Sequence, residues 1–382
     1  MVEAVILTCL ILLFIGYAVL IGKYRNWFLQ VKPFIWKEVS YEVKFTVIIP
    51  ARDEEAIIKA CLTSVLNQDY PHDLYEVIVI DDHSTDNTAG IVRSLQNRYA
   101  NLRLIQLQDV LQGQQLNSYK KKAIEYAIGQ AKGDWIVTTD ADCLVTEKWL
   151  QSFSAFIVER KAIFVAAPVK YINTRSFVSV FQCLDFITLQ GITAAAVHNN
   201  FHSMCNGANL AYSKKAFYEV GGFAGIDDIA SGDDMLLMHK IYKRYPTGIG
   251  FLLSRNAVVA TKPMPTWKSF FNQRIRWASK AEKYDDKRIF WVLVLVYVFN
   301  LSFVALPVVS FWYPSLWLYW GMLLVAKTLI ELWFIYPVAL FFKEEKLLRW
   351  FPLMQPVHVL YTVTAGWLGK FGKYTWKGRQ VT

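Results

Sequence analysis

Cysteine is scarce in this chain. Its five positions among 382 residues, Cys9, Cys61, Cys143, Cys183 and Cys205, form neither a CxxC pair nor a set with histidine at ligand spacing. That excludes a disulfide or zinc framework and fits a domain kept in a reducing compartment. Internal repeats, low-complexity linkers and nucleic-acid-binding modules are also missing, although the net charge is +10. Much of the basic excess lies beside apolar segments and in the tail residues Lys370, Lys373, Lys377 and Arg379, so anionic lipid head groups, not nucleic acid, are the expected partner. An uncleaved anchor is expected at the first apolar run, ahead of the rival reading, a secretory signal. Glu3 precedes the first apolar run where a basic region would be needed, and Lys23, Tyr24, Arg25 and Trp27 follow it in place of a cleavage site.

Apolar residue is abundant, at 54%, and unevenly spread. Residues 2–21 are an almost unbroken apolar run, long enough to cross a hydrocarbon core of roughly 30 Å. Residues 289–312 and 316–342 form two more, joined by Tyr313-Pro314-Ser315 and edged by Trp and Tyr, which predicts a membrane hairpin. The stretch 351–368 carries Pro352, Gln355, Pro356 and His358 ahead of the basic tail. A full fourth span would place that tail outside, so a re-entrant or interfacial helix is expected. Lys23, Arg25, Lys32 and Lys37 hold the domain after the first span on the cytoplasmic side. The expected organisation is an anchor over 1–24, a cytosolic domain over 44–286 and a C-terminal membrane region over 287–382. The expected location is a bacterial inner membrane.

Between the apolar runs, continuous apolar strands alternate with helices. Residues 45–50 and 76–80 read as strands, the first followed by a helix over 54–66 and the second by a helix capped by Ser84-Thr85-Asp86. Residues 102–107 form a third strand, 120–131 a helix, and 135–139 a fourth strand running into Asp140-Ala141-Asp142. Strands without polar alternation, separated by helices, predict an α/β fold with a mostly parallel sheet covered on both faces. Ligands of such sheets sit beyond the carboxyl ends of the strands, where Asp81, Asp82, Asp140 and Asp142 fall. The stretch 176–197 is a long amphipathic helix, interfacial or core.

Two carboxylates one residue apart at a strand end suit a divalent cation, Mg²⁺ or Mn²⁺, that also takes diphosphate oxygens. His198 and His202 lack the glutamate of an HExxH pattern and a third ligand, so no metal is expected there. Cys143, beside the DxD, reads as a packing residue.

The order of motifs resembles the family 2 glycosyltransferases, inverting enzymes of the Rossmann-like GT-A fold. Five blocks carry the resemblance: VIIPARDEE over 47–55, VIVIDDHSTDNT over 77–88, residues 120–142 ending in TTDAD, NGANLAYSKKAFYEVGGF over 206–223 with SGDD at 231–234, and QRIRW at 273–277. The resemblance implies that Pro50, Ala51, Arg52, Glu54, Asp81, Asp82, Lys121 and Asp140 bind the nucleotide-sugar, and that Asp142 with Asp140 holds the metal. It implies Asp234, ahead of Asp233, as the base that takes the acceptor proton. Gln273, Arg276, Trp277, Asn206, Gly207 and Asn209 would meet the diphosphate and acceptor. Two departures stand out: Tyr119 and Lys120 replace the glycine before the family's lysine, and Asp233 replaces a glutamate.

The implied activity is a metal-dependent, hexosyltransferase-type transfer from a nucleotide-sugar, with UDP expected ahead of GDP, to a lipid or lipid-linked acceptor. A processive polysaccharide synthase is the alternative, but about three spans are few for a channel. A sugar-nucleotide pyrophosphorylase would carry a Gly-rich basic loop where Ala51-Arg52-Asp53-Glu54 stands. A non-catalytic membrane scaffold would tolerate Asp142→Asn and Asp234→Asn.

Overall fold

The computed structural model describes residues 1–36, 41–111, 118–172, 175–201, 204–226, 232–279, 286–371, 374–376 and 379–381, with side chains through 370. It divides into an α/β unit, Val31–Ile172 with Ala196–Lys262, and a helical unit, Met1–Gln30, Asn173–Ala195 and Pro263–Thr382.

In the α/β unit, β1 (Phe45–Ala51), β2 (Tyr75–Asp81) and β4 (Trp135–Thr138) are the apolar runs that the sequence marks as strands, and β3 (Leu102–Gln106) lies at the edge. With β5 (Phe164–Ala166), β7 (Leu210–Ser213) and β8 (Ile249–Phe251) they form one seven-stranded sheet in the order β3-β2-β1-β4-β7-β5-β8. All neighbours are parallel except β7, which runs antiparallel to both β4 and β5. A parallel two-stranded ribbon, β6 (Val169–Tyr171) with β9 (Val259–Thr261), stands apart. Val47, Ile48, Ile49, Val77, Ile78, Val79 and Ile80 have no solvent exposure, so both faces of the central strands are covered. At Gly133, which leads into β4, a Cβ would lie 2.5 Å from the Phe45 carbonyl carbon; glycine is what lets β4 enter beside β1.

The helices of this unit are α2 (Ile58–Leu66), α3 (Thr88–Gln96), α4 (Leu107–Leu111), α5 (Tyr119–Gln130), α6 (Trp149–Arg160), α8 (Lys214–Glu219) and α9 (Asp233–Arg244). The first two begin later than the sequence predicts, because the polar residues ahead of them brace two loops against each other. Asp53 N–H donates to Ser84 Oγ at 3.0 Å, Thr85 N–H to Asp53 Oδ1 at 2.7 Å, Glu55 N–H to Asp86 Oδ2 at 2.9 Å and Asn87 N–H to Glu55 Oε2 at 2.9 Å. Asp53 takes φ 52° in this arrangement, a left-handed conformation that Asp tolerates better than most residues.

The helical unit contains α1 (Val2–Gln30), α7 (Phe177–His198) except its last three residues, α10 (Trp267–Ala278), α11 (Lys287–Val309), α12 (Leu316–Phe342) and α13 (Phe351–Phe371). Among the described residues α1, α7, α11 and α12 are long and apolar enough to cross a membrane. They differ in exposure: α1, α11 and α12 turn large apolar side chains outward, whereas α7 is largely buried and is therefore a core helix. The segment expected to be re-entrant or interfacial is the continuous α13, packed on α10 and α11.

Candidate active site

The carboxyl ends of β1, β2 and β4 and the amino end of α9 supply the charged groups. Asp81 closes β2 in register with Ala51 of β1, is 3% exposed, and its Oδ1 has no partner among the described residues. Asp82 is buried next to it, 2.9 Å from His83 Nδ1 and 3.9 Å from Arg52 Nη1. Pro50 and Ala51 form the last residues of β1, and Glu54 N–H is held by Thr88 Oγ1 at 2.8 Å. One end of the sheet thus carries a buried acid pair with an arginine across from it.

Beyond β4, Asp140 accepts from Lys120 Nζ at 2.9 Å, and the same ammonium lies 3.7 Å from Asp233 Oδ2. Lys120 therefore ties the end of β4 to the first turn of α9. Burial works against its charge, but Asp140, then Asp233 and Asp234, outweigh it and hold the ammonium above its ordinary pKa. Asp234 Oδ2 accepts from Gly207 N–H at 2.9 Å, and Thr138 Oγ1 donates to Gly207 C=O at 2.7 Å, so the Gly207 backbone bridges β4 and α9. A Cβ on Gly207 would come within 3.6 Å of Asp234 and 3.7 Å of Lys120 Nζ. Both acids sit in the first turn of α9, where the helix dipole favours negative charge. Gly232, at φ 83°, supplies the left-handed turn before them.

Asp142 is held by Thr261 Oγ1 of β9 at 3.2 Å and faces Cys143 Sγ at 3.5 Å. Burial first, and then the charge of Asp140, raise its pKa. Lys120 pairs with Asp140, while Asp142 has its charge disfavoured by burial and by Asp140; the two carboxylates could together take a divalent cation. Among the described residues no three His, Cys, Asp or Glu cluster around one point, so protein ligands alone would not complete a shell. Burial, then Asp140 and Asp142, push the Cys143 thiol up, which suits packing and not nucleophilic chemistry.

The other predicted residues have the following surroundings. Lys121 is buried and donates to the Ile226 carbonyl, while its neighbour Lys120 occupies the carboxylate cluster. Asn209 is fully buried, accepting from Trp149 Nε1 and donating to Pro168 and Ala257 carbonyls at 2.8 and 2.7 Å, a buttress inside the unit. Asn206 caps its own turn through Ala208 N–H at 3.0 Å. His202 and Ser231 lie outside the described residues. Gln273, Arg276 and Trp277 lie on α10 in the helical unit. Lys120, Thr138 and Thr261 were not singled out from the sequence; the run Lys120-Lys121-Lys122 was the available signal for the first.

A model of the family described as "Glycosyl transferase family group 2" matches residues 135–343, and one of "Glycosyl transferase family 2" matches 46–221. The chain is 27% identical over 248 residues to the Bacillus subtilis (strain 168) protein described as "Probable glycosyltransferase YdaM", covering 64% of this chain and 56% of that one. It is 30% identical over 250 residues to the beta-monoglucosyldiacylglycerol synthase of Synechocystis sp., covering 63% of this chain and 48% of that one. The matches thus span about half the length of these curated relatives. Among solved structures, the mannosyltransferase PcManGT from Pyrobaculum calidifontis, in complex with GDP-Man and Mn²⁺, superposes with a TM-score of 0.57 at 18% identity over 94% of this chain and 97% of that one. The sheet is that of the GT-A fold.

Proposed function

The chain belongs to glycosyl transferase family group 2, and from that premise we propose that it is a membrane-bound, metal-dependent inverting glycosyltransferase acting on a lipid or lipid-linked hydroxyl. The observation that carries the reading is Lys120, whose ammonium reaches both Asp140 and Asp233 and so joins the donor end of the sheet to the acidic turn of α9.

In this mechanism the acceptor oxygen attacks the anomeric carbon from the side opposite the diphosphate. The new C–O bond forms as the bond to the diphosphate breaks, and no sugar is carried on the protein. Asp234 takes the hydroxyl proton, with Gly207 N–H fixing its carboxylate. Asp233, turned toward Lys120, is a charge partner. Arg52, Asp81 and Asp82 hold the nucleoside, Asp81 Oδ1 being free to accept from it. Asp142 and Asp140 would hold Mg²⁺ or Mn²⁺, which when bound neutralises charge developing on the leaving diphosphate. Lys120 brings a second positive charge to that region.

A lipid acceptor is supported by the diacylglycerol-directed Synechocystis relative and by the outward apolar faces of α1, α11 and α12, which suit a bilayer with the α/β unit on its cytoplasmic side. UDP is the expected nucleotide from the motif resemblance. Purified full-length protein in lipid, supplied with UDP- or GDP-sugars and Mn²⁺ or Mg²⁺, should release nucleotide and yield a glycolipid seen by mass spectrometry. A long polymer as product would replace the acceptor, and failure with every donor by folded, inserted protein would sink the reading.

A further inference from the structure

The motif residues Gln273, Arg276 and Trp277 leave Arg274 without an assigned part, yet Arg274 is the buried side chain of the five, 3% exposed against Asp185 at 4%. Its Nη2 donates to Asp185 Oδ2 of α7 at 2.6 Å, and Tyr361 of α13 donates its hydroxyl to Asp185 Oδ1 at 2.5 Å. The same guanidinium reaches back along α10. Its Nη1 donates to Gln273 Oε1 at 3.3 Å, and its Cζ lies 4.2 Å from the centre of the Trp277 ring and 4.8 Å from that of Phe270. Two motif side chains are thus gripped by one buried cation. One helical turn before Asp185, Gln182 holds the lead into α10: its Nε2 donates to Met264 C=O and its Oε1 accepts from Met264 N–H, both at 2.9 Å.

A buried guanidinium needs a counter-charge and acceptors for its donors; here Asp185 on another helix meets the charge through Nη2, and Gln273 Oε1 takes Nη1. We propose that Arg274 is a positioning residue. Through Asp185 and Tyr361 it sets where α10 stands, and through direct contact it fixes the rotamers of Gln273 and Trp277. It touches neither donor nor acceptor. The proposal rests on the glycosyltransferase reading only in what α10 is positioned for.

The test uses full-length protein in lipid nanodiscs and four changes: Arg274→Lys, Asp185→Asn, the paired Arg274→Met with Asp185→Leu, and Trp277→Ala. The paired change removes both charges together, so that neither is left buried alone. Hydrogen exchange over 267–278 should accelerate about tenfold or more in the paired variant, while the segment 119–140 exchanges as before. Turnover should fall about 10–100-fold with donor KM nearly unchanged, as expected when groups are misplaced and not removed. Adding Trp277→Ala to the paired variant should cost less than Trp277→Ala does alone, because residues acting as one unit are non-additive. Arg274→Lys, which keeps the charge and loses the fork, should shift exchange and turnover in the same direction by less, and serves if the pair does not fold. Unchanged exchange over 267–278, or fully additive losses, overturns the proposal. Altered exchange in a protein whose wild type transfers no sugar would uphold the positioning and sink the family mechanism.

Discussion

At the scale of single residues, the two neighbouring acids of α9 are separated by what each touches. Asp234 is oriented by a backbone N–H and Asp233 faces an ammonium. Asp234→Asn should reduce transfer about 10²–10⁴-fold, the usual contribution of a general base, with donor binding retained in nucleotide titrations; Asp233→Asn should cost less. An equal loss in both would unseat the assignment. Asp142 makes a different prediction, because burial and Asp140 disfavour its charge. A carboxyl raised in the folded state subtracts stability at pH above its folded pKa, where it is ionised, and that subtraction fades as pH falls through it. Asp142→Asn should therefore raise the melting temperature of ligand-free protein near pH 7 by about 1–3 °C while abolishing metal-supported turnover. A lower melting temperature would count against the repulsion. Asp81, Asp82 and Asp140 were legible in the sequence because they follow apolar runs, and Asp233 and Asp234 only through the motif resemblance. Lys120 was not, since adjacent positions of a helix point about 100° apart and motif spacing alone does not say which lysine of three turns toward the carboxylates.

At the scale of elements, β1, β2 and β4 could be read to within a residue or two because each is a continuous apolar run. The antiparallel β7 could not, since sheet order depends on partners distant in sequence. The helix starts at Ile58 and Thr88 were misplaced because Ser84, Asp86 and Asp53 brace loops where a cap was expected. The helical unit hides a further feature that hydropathy averages away. Lys327 of α12 is fully buried, 2.7 Å from Glu331 Oε1 one turn on and 2.7 Å from Gln355 Oε1 of α13, while Gln355 Nε2 donates to Glu331 Oε2 at 2.6 Å and Tyr17 of α1 donates to Glu331 Oε1. Three helices therefore share one charge pair. Lys327→Met leaves Glu331 uncompensated and should cost about 3–5 kcal/mol, measured by denaturation in detergent; Lys327→Met with Glu331→Gln should recover part of that loss. If both variants are equally damaged, packing and not charge holds the joint.

At the scale of the whole molecule, the chain passes between its two units at residues 30/31, 172/173, 195/196 and 262/263. Hydropathy places a boundary at 286/287, whereas the compact units divide ahead of α10, a polar helix that packs on α13. The same division bears on membrane attachment. Leu12 and Ile15 of α1 are 63% and 51% exposed, Val308 of α11 is 55%, and Leu318, Met322 and Leu329 of α12 are 68%, 59% and 61%, so outward apolar surface is spread over three helices. On the proposed membrane-bound reading, attachment carried by several helices does not depend on one. Removal of residues 1–30 should leave the protein in the membrane fraction after alkaline carbonate washing, held by α11 and α12. It should nevertheless lower the thermal stability of the helical unit, since Tyr17 no longer meets Glu331. A truncated protein recovered in the soluble fraction, folded and monomeric, would mean that α1 alone is the anchor and that the exposed faces of α11 and α12 serve a contact other than lipid.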